Sequence, residues 1–97
     1  GVTLTPNGFY GPQGRVLRLP IEMPTVNDEI ARFHFNGHKI MNYEMESAAI
    51  AGLSALMGHH ATTICLIIAN RANGDASSNY KPYMKKLVEY TLDSLAR

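Results

Sequence analysis

Strand gives way to helix in the segment Lys39-Ile40-Met41-Asn42-Tyr43-Glu44-Met45-Glu46-Ser47. Residues Lys39 to Tyr43 are predicted to form a short strand, and Ser47 to Met57 are predicted to form a helix. Small residues on nearly every face are typical of a helix that packs tightly against other backbone, and Gly58 ends it. A strand that runs into a helix in this way indicates an α/β fold.

Two carboxylates, Glu44 and Glu46, stand at this junction. Placing two acids there costs desolvation energy unless something uses them. Because a carboxylate can accept hydrogen bonds from two adjacent hydroxyls at once, a ribose diol is a natural partner. The alternative is one solvated glutamate and one glutamate in the first helical turn, where the helix dipole favours negative charge. The two residues alone leave both interpretations open.

The residues before this segment are predicted to form a strand, a loop and a helix. The strand covers Val2 to Thr5 and ends at the turn Pro6-Asn7-Gly8, after which Phe9 to Gly14 forms an irregular loop. The helix covers about Asp28 to Phe35. Asn27 is expected to cap this helix, and Asn36-Gly37 is expected to close it.

The residues after it are predicted to form a strand, a polar loop and a final helix. Ala61 to Ala69 is the most apolar run and indicates a central strand buried on both faces. Asn70 to Asn79 is the loop. The final helix carries an apolar stripe made of Met84, Leu87, Val88, Thr91, Leu92 and Leu95. The alternation of strands and helices predicts an α/β class, with a sheet whose other strands lie partly outside these residues.

Length and charge limit the function classes. The chain has 97 residues, which is one small domain or part of a larger one. It begins without a methionine or a leader, so we expect a piece of a longer protein. Nine basic residues against eight acidic ones give a net charge of +1, so nothing favours nucleic acid or an anionic membrane as a partner.

Cysteine and histidine give no sign of a metal site. The lone Cys65 lies in an apolar run, where it is expected to be a small buried hydrophobe, and it favours a reducing, cytoplasmic setting. His34 and His38 are four residues apart and His59-His60 follow, but no cysteine or carboxylate cluster completes a tetrahedral set. We therefore expect no metal.

Polar side chains follow the predicted strands at their carboxyl ends, where open α/β sheets bind ligands. Phe9 can stack on a flat heterocycle, Gln13 can pair with an amide-like edge, and Arg15 can donate to a carbonyl oxygen. The alternative treats Phe9 as a loop anchor and the other two side chains as solvated.

Four elements together carry a resemblance to a known family. They are Phe9-Tyr10, Gln13-x-Arg15, Asn42-Tyr43-Glu44-Met45-Glu46-Ser47 and Ile68-x-Asn70-Arg71. In this order and at these intervals, the chain resembles the carboxyl-terminal part of the uridine phosphorylases, which belong to the purine nucleoside phosphorylase/uridine phosphorylase superfamily. The resemblance implies that residues 1–97 are the C-terminal portion of a single nucleoside phosphorylase domain, a three-layer α/β/α mixed sheet.

The resemblance also implies roles for the site residues. Gln13 and Arg15 would hold uracil through its carbonyl and NH groups, with Phe9 near the sugar and the base. Glu46 would bind the ribose hydroxyls. Met45 would line the sugar site, and Glu44 would support it.

Three further residues would complete the base pocket in such an enzyme. Ile68 and Ala69 would wall it, and Arg71 would lie near the far edge of the pyrimidine. Purine-cleaving relatives carry an Asp after the corresponding strand, where this chain has Asn70-Arg71. This difference argues against purine phosphorylase and against nucleosidase activity on adenine nucleosides. The loop Asn73 to Asn79 also lacks the proline that some relatives place over the base.

The implied reaction is phosphate-dependent cleavage of uridine to uracil and ribose 1-phosphate. Arg15 and Glu46 would be the catalytic residues: Arg15 would stabilise charge on the leaving uracil, and Glu46 would favour the cationic ribose. No cofactor is implied, since inorganic phosphate is the co-substrate. The phosphate ligands of the family lie in an amino-terminal half and a neighbouring subunit, so we expect this chain alone to be inactive.

The implied partners are a nucleoside, phosphate, the N-terminal half of the same protein and further copies of it, as a dimer or a hexamer built of dimers. Two alternatives stay open at this stage. One is a purine phosphorylase or nucleosidase of the same superfamily. The other is a non-catalytic nucleoside-binding module.

Overall fold

The computed structural model describes residues 1–97 and divides them into two units, Gly1–Thr63 and Ile64–Arg97. The first unit contains strands β1 (Val2–Leu4), β2 (His34–Phe35) and β3 (His38–Tyr43), and helices α1 (Val26–Arg32) and α2 (Ser47–Leu56). The second contains strands β4 (Ala69–Asn70) and β5 (Asp75–Ala76) and helix α3 (Lys81–Leu95). The chain is thus mixed α/β with small sheets and three helices, which confirms the predicted class at that level.

The sheet of the first unit has the order β1-β3-β2. Strand β1 runs parallel to β3, with Thr3 beside Asn42 and Leu4 beside Tyr43. Because side chains alternate along a strand, Thr3 and Thr5 share one face of this pair with Asn42 and Glu44. The predicted strands at Val2 to Thr5 and Lys39 to Tyr43 are both confirmed, each within one residue at its ends.

The dipeptide Asn36-Gly37 forms a hairpin turn, so its prediction as the end of a helix was wrong. It joins β2 to β3, which pair antiparallel with Phe35 beside His38. Both turn residues have positive φ, 47° at Asn36 and 76° at Gly37. A two-residue hairpin loop needs this backbone, and Asn-Gly supplies it at low cost.

Helix α1 is shorter than predicted because the hairpin takes its last residues. It spans Val26–Arg32 rather than about Asp28 to Phe35, and Thr25 precedes it in place of Asn27. The Thr25 hydroxyl donates to Oε1 of Glu29 at 2.7 Å across the first turn. Asn27 is therefore not the cap, and its side chain is available for other contacts.

The second unit pairs three residues of the segment that was predicted to be a polar loop. Strands β4 and β5 are antiparallel, with Ala69 beside Ala76 and Asn70 beside Asp75. Helix α3 follows and covers the predicted final helix. On its solvent side Lys85 and Glu89 form an ion pair of 3.8 Å, an exposed contact that contributes about 0.3–0.5 kcal/mol.

The prediction of a buried central strand at Ala61 to Ala69 was wrong. Residues 61–68 form no regular structure, and only Ala69 is part of a strand. Their β-branched composition favours extended backbone, but a strand exists only where a neighbour pairs with it. No strand of this chain pairs with residues 61–68, and β3 has β1 on one side and β2 on the other. Cys65 in this run is half-buried rather than buried.

No apolar side chain of this chain is buried. The small-residue helix α2 has no buried residue, so the tight packing that was expected of it is not seen in this chain. The apolar stripe of α3 is likewise half-exposed or exposed, with Val88 at 51% and Leu92 at 60%. No helix combines the length and the apolar character that crossing a membrane requires.

Candidate functional site

The carboxyl ends of β1 and β3 lie side by side at one edge of the sheet. Leu4 and Tyr43 are register partners, and the amide of Glu44 donates to the carbonyl of Leu4 at 3.1 Å, which extends the ladder beyond β3. The loop that carries Phe9 to Arg15 and the segment that carries Glu44 to Glu46 therefore both leave the sheet at this edge. Parallel pairing thus puts the starts of both segments at the same edge of the sheet, and their joint role in a ligand site stays a prediction.

The loop after β1 is folded around one backbone carbonyl. Residues Gly11–Gln13 form a single 3₁₀ turn. The carbonyl oxygen of Tyr10 accepts from the amide of Gln13 at 3.1 Å and from the amide of Arg15 at 2.9 Å. This turn places the side chains of Gln13 and Arg15 next to each other, although Gly14 separates them in sequence.

The guanidinium of Arg15 is held by three contacts within the loop. Its Cζ lies 3.7 Å from the centroid of the Phe9 ring, a cation–π arrangement. Its Nη1 donates to the carbonyl oxygen of Phe9 and, at 2.6 Å, to Oε1 of Gln13. The Phe9 ring also meets Tyr10 edge-on, with centroids 5.2 Å apart. Phe9, Gln13 and Arg15 thus form one cluster.

Gln13 is the one buried side chain of the chain, at 4% exposure, which contradicts the alternative that it is merely solvated. A guanidinium can only donate, so the atom of Gln13 that faces Arg15 has to be the amide oxygen. The amide nitrogen then points elsewhere. The two side chains together carry unused donors and one further acceptor, the second lone pair of the Gln13 oxygen, although Gln13 itself is only 4% exposed.

Asn27 connects the loop to the end of β3. Its side chain lies against Gly14, whose φ of 73° is in the left-handed region. A Cβ at Gly14 would lie only 2.9 Å from Cγ of Asn27. On its other side, Oδ1 of Asn27 accepts from the hydroxyl of Tyr43 at 3.2 Å. A glycine between Gln13 and Arg15 lets the loop approach Asn27 this closely.

Glu44 is engaged by the chain itself. Its Oε1 accepts from the hydroxyl of Thr5. Its Oε2 accepts from the amides of Glu46 at 2.8 Å and Ser47 at 2.6 Å. These amides stand at the start of α2, where Glu46 makes no side-chain cap of its own. Glu44 therefore binds the amides at the start of this helix from outside it, and neither acid lies in the first helical turn, where the alternative placed one of them.

Hydroxyl and amide donors around the carboxylate stabilise the charged form of Glu44. The Ser47 hydroxyl and then the Thr5 hydroxyl lower the pKa of this carboxyl from 4.5 to about 2, with smaller contributions from the amides of Glu46 and Ser47 and against the effect of desolvation. At neutral pH the carboxylate is fully ionised at the positive end of the α2 dipole. Glu44 acts as a fixed anionic anchor for the turn into α2.

Glu46 and Met45 are in a different position from Glu44. Both are exposed, Met45 at 41%. The carboxylate of Glu46 accepts one long hydrogen bond, from the amide of Met45 at 3.3 Å, and is otherwise open to a ligand. Of the two acids at the junction, Glu46 is the one whose oxygens can accept from a diol.

The other three predicted base-pocket residues lie in the second unit. Ala69 belongs to β4, Ile68 directly precedes it, and Arg71 follows Asn70, whose Oδ1 accepts from the amide of Ala72 at 3.0 Å. The carbonyl of Ile68 accepts from the amide of Ser77 at 2.7 Å, which continues the β4–β5 pairing. The roles of Ile68, Ala69 and Arg71 in a base pocket stay predictions.

An open cleft of about 380 Å³ lies beside Thr5 and Ser47. It is lined by Thr3, Thr5, Ser47, Ala48, Ala51 and residues 61–63. None of the predicted base or ribose ligands faces it, and its lining carries no charge. The loop cluster and Glu46, rather than this cleft, remain the candidate site. No group of three or more His, Cys, Asp or Glu side chains could hold a metal ion.

Sequence reasoning missed Thr5 and the contact role of Asn27. Thr5 stands two residues after Thr3 on the same face of the strand, a spacing that could have indicated a shared role. Asn27 gave no such signal, because its contacts with Gly14 and Tyr43 join segments 13 and 16 residues away in the chain.

Comparison with known proteins gives two relatives from the same organism. The chain is 36% identical over 78 residues to uridine phosphorylase A of Schistosoma mansoni and 37% identical over 76 residues to inactive uridine phosphorylase B of the same organism. Each match covers 77% of this chain but 25% of the relative, so the chain spans about a quarter of the length of these proteins. No protein-family model and no solved structure matches the chain.

The similarity supports the interpretation of this chain as part of a uridine phosphorylase-like protein. One of the two similar proteins is named inactive, and both match the chain to nearly the same degree. Sequence identity of 36–37% therefore supports the family resemblance but does not show that the chain has the activity.

Proposed function

We propose that this chain is the carboxyl-terminal part of a uridine phosphorylase and carries the base and ribose side of its active site. The observation that carries the proposal is the cluster of Phe9, Gln13 and Arg15, in which Nη1 of Arg15 donates to the amide oxygen of Gln13 at 2.6 Å. Its position beside the Glu44 to Glu46 segment at one sheet edge, and the similarity to uridine phosphorylases, support the same function.

The base is held by complementary donors and acceptors. Uracil presents two carbonyl oxygens on either side of one NH group. Arg15 donates to one carbonyl from the nitrogens that Gln13 and Phe9 do not use. The amide nitrogen of Gln13 donates to a carbonyl as well, and its oxygen accepts from the NH through its second lone pair. This pattern selects a pyrimidine edge.

The ribose is held by Glu46, with Met45 beside the sugar. Both hydroxyls of the diol donate to the Glu46 carboxylate, which makes a charge-assisted pair of hydrogen bonds. Glu44 holds the backbone of this segment rather than the sugar, because its oxygens already accept from Thr5, Glu46 and Ser47. The negative charge of Glu46 also favours a ribose that becomes cationic.

The reaction is phosphorolysis. Phosphate attacks the anomeric carbon as the glycosidic bond breaks, and the bonding electrons leave with uracil. Negative charge then spreads over the uracil ring and its oxygens, where Arg15 stabilises it most at the transition state. Ribose 1-phosphate is the second product. Phosphate is bound by residues outside this chain, so this chain alone is inactive.

The remaining expectations belong to the same proposal. The whole protein is a cytoplasmic transferase of nucleoside salvage with the three-layer sheet of its family, and it assembles as dimers or as hexamers built of dimers. The exposed apolar residues of this chain, such as Leu53 at 60% and Leu56 at 86%, would then pack against the amino-terminal half.

The test is uracil release from uridine by the full-length protein, verified by intact mass, with and without phosphate. Release that depends on phosphate and yields ribose 1-phosphate is the expected result. Release without phosphate identifies a nucleosidase instead. Release of adenine or hypoxanthine from purine nucleosides at a higher rate than uracil from uridine overturns the pyrimidine assignment.

A second candidate is a nucleoside-binding subunit without turnover. It is favoured by one observation, the comparable similarity to a protein that is named inactive. This candidate predicts saturable uridine binding by calorimetry and no uracil release at any phosphate concentration.

A further inference from the structure

The hydroxyl of Thr5 joins three segments that are far apart in the chain. It donates to Oε1 of Glu44 and accepts from the amide of Ala48 at 3.2 Å. It also lies 3.4 Å from the hydroxyl of Ser47. Thr5 follows the end of β1, so its side chain connects this strand both to the segment after β3 and to the first turn of α2.

Glu44 passes this constraint on to the ribose segment. While Oε1 is held by Thr5, Oε2 accepts from the amides of Glu46 and Ser47 at 2.8 and 2.6 Å. Two peptide units of the turn that carries Met45 and Glu46 are thereby fixed to one carboxylate. The Thr5 hydroxyl holds the other oxygen of that carboxylate and so ties it to the end of β1.

Loss of the hydroxyl has a defined consequence. The Thr5 hydroxyl has one proton to donate, and Glu44 receives it. A valine at this position keeps the shape of the side chain but removes both this bond and the acceptor for Ala48. Glu44 then keeps the amides of Glu46 and Ser47 and the hydroxyl of Ser47, but its Oε1 loses the bond to Thr5 that ties the carboxylate to the end of β1. The turn that carries Glu46 is then no longer tied to β1 through this carboxylate.

We propose that Thr5 is a positioning residue for ribose recognition, which acts through Glu44 to hold Glu46 in the geometry that accepts both hydroxyls of a ribose diol. The inference rests on the proposed function, since it assigns the ribose to Glu46. It predicts that Thr5 controls the preference for ribose over 2′-deoxyribose, although Thr5 does not touch the sugar.

Thr3 provides a matched control within the same strand. It lies two residues before Thr5 on the same face, and its hydroxyl donates to Oδ1 of Asn42 at 2.9 Å. This bond crosses between β1 and β3 just as the Thr5–Glu44 bond does, but it has no link to Glu44 or to α2. The Thr3→Val variant thus removes an equivalent cross-strand bond without releasing the ribose segment.

The experiment compares Thr5→Val, Thr5→Ser and Thr3→Val in the full-length protein, with kcat/KM measured for uridine and for 2′-deoxyuridine. The Thr5→Val variant is expected to lower kcat/KM for uridine about tenfold or more, the size of one lost hydrogen bond to a charged group, and to lower it much less for 2′-deoxyuridine. Thr5→Ser and Thr3→Val are expected to keep the wild-type ratio. The KM for phosphate is expected to stay unchanged in all three.

Equal loss for the two nucleosides in Thr5→Val, or the same change of ratio in Thr3→Val, overturns the positioning role. If the Thr5→Val variant does not fold, the Thr5→Ser variant tests the proposal instead. Serine keeps the hydroxyl, so a Thr5→Ser variant that loses the preference for ribose contradicts the proposal. Calorimetric affinities for both nucleosides are measured alongside. A wild-type protein that binds uridine without cleaving it overturns the proposed function but not the role of Thr5. In that case the role of Thr5 is tested by the ratio of the affinities for uridine and 2′-deoxyuridine in each variant.

Discussion

Arg15 donates from Nη1 to Oε1 of Gln13 at 2.6 Å, and this bond orients both side chains before any ligand arrives. A free glutamine can present either its oxygen or its nitrogen. Here the guanidinium takes the oxygen, and the Phe9 ring supports the guanidinium from one face at 3.7 Å. The cluster is preorganised because few rotamers remain to be fixed on binding.

Replacement of Arg15 by lysine is expected to reduce turnover strongly. A lysine keeps the charge, but a single ammonium group cannot contact Phe9, Gln13 and a uracil oxygen in the planar arrangement of a guanidinium. We expect kcat for uridine phosphorolysis to fall about 100- to 1,000-fold, the range for loss of a transition-state donor, with the KM for phosphate unchanged. Arg18→Lys, at an exposed arginine nearby, is the control. Wild-type turnover in Arg15→Lys would remove Arg15 from the mechanism.

Gln13→Glu tests the orientation of the amide. A glutamate still accepts from Arg15, and the added charge strengthens that pair, so the loop is expected to keep its structure. The variant loses the NH₂ donor and places an anion beside a leaving group that becomes negative. We expect kcat/KM for uridine to fall roughly 10- to 100-fold or more, with unchanged thermal stability. A variant that retains wild-type kcat/KM would show that the donor of Gln13 is not used.

The strand–helix junction could be predicted from sequence because its signals are local. The short strand, the two acids and the small-residue helix follow one another within 20 residues, and the structure places β3 and α2 within one residue of the predicted bounds. The prediction at Asn36-Gly37 was wrong because this dipeptide is common both at the end of a helix and in a hairpin turn. The two β-paired residues on either side of it decided in favour of the turn.

The errors at Ala61 to Ala69 and the omission of Thr5 have a different cause. A central strand depends on neighbouring strands, and no periodicity within the run states where they come from. The contacts of Thr5 lie 39 and 43 residues away, so they become visible only once β1 and β3 are paired. The composition of a segment indicates whether it favours helix or strand. The contacts that each side chain makes depend on the tertiary structure.

Gly14→Ala is expected to destabilise the protein and to weaken base binding. The left-handed backbone at Gly14 costs an alanine about 1 kcal/mol, and its methyl group would also collide with the Asn27 side chain. Gly58 has a similar φ of 76° with nothing within 4 Å of an added Cβ. The Gly58→Ala variant therefore measures the backbone cost alone.

The two glycine variants are compared by denaturant unfolding of the full-length protein. Gly14→Ala is expected to lose more free energy of unfolding than Gly58→Ala, and Asn27→Ala in the same chain is expected to restore part of the difference. Equal losses in the two single variants would mean that the contact between Gly14 and Asn27 does not constrain the loop.

Glu44→Gln is expected to show a pH dependence that identifies Glu44 as the anchor of α2. The Ser47 and Thr5 hydroxyls lower the pKa of this carboxyl from 4.5 to about 2 in the folded chain. The folded state therefore holds its proton less tightly than the unfolded state does, so the charged carboxylate stabilises the fold above pH 4.5. This contribution decreases as the pH falls from about 4.5 toward 2, where Glu44 becomes protonated in both states.

The measurement is the free energy of unfolding of the full-length protein and of its Glu44→Gln variant between pH 2 and pH 7. Wild type is expected to be the more stable of the two at pH 7, and the difference is expected to shrink as the pH falls below 4.5. Glu22→Gln, at an exposed carboxylate without a hydrogen bond, controls for the change in net charge. A difference between wild type and Glu44→Gln that stays constant over this range would mean that Glu44 is not held by Thr5 and Ser47 in the folded protein.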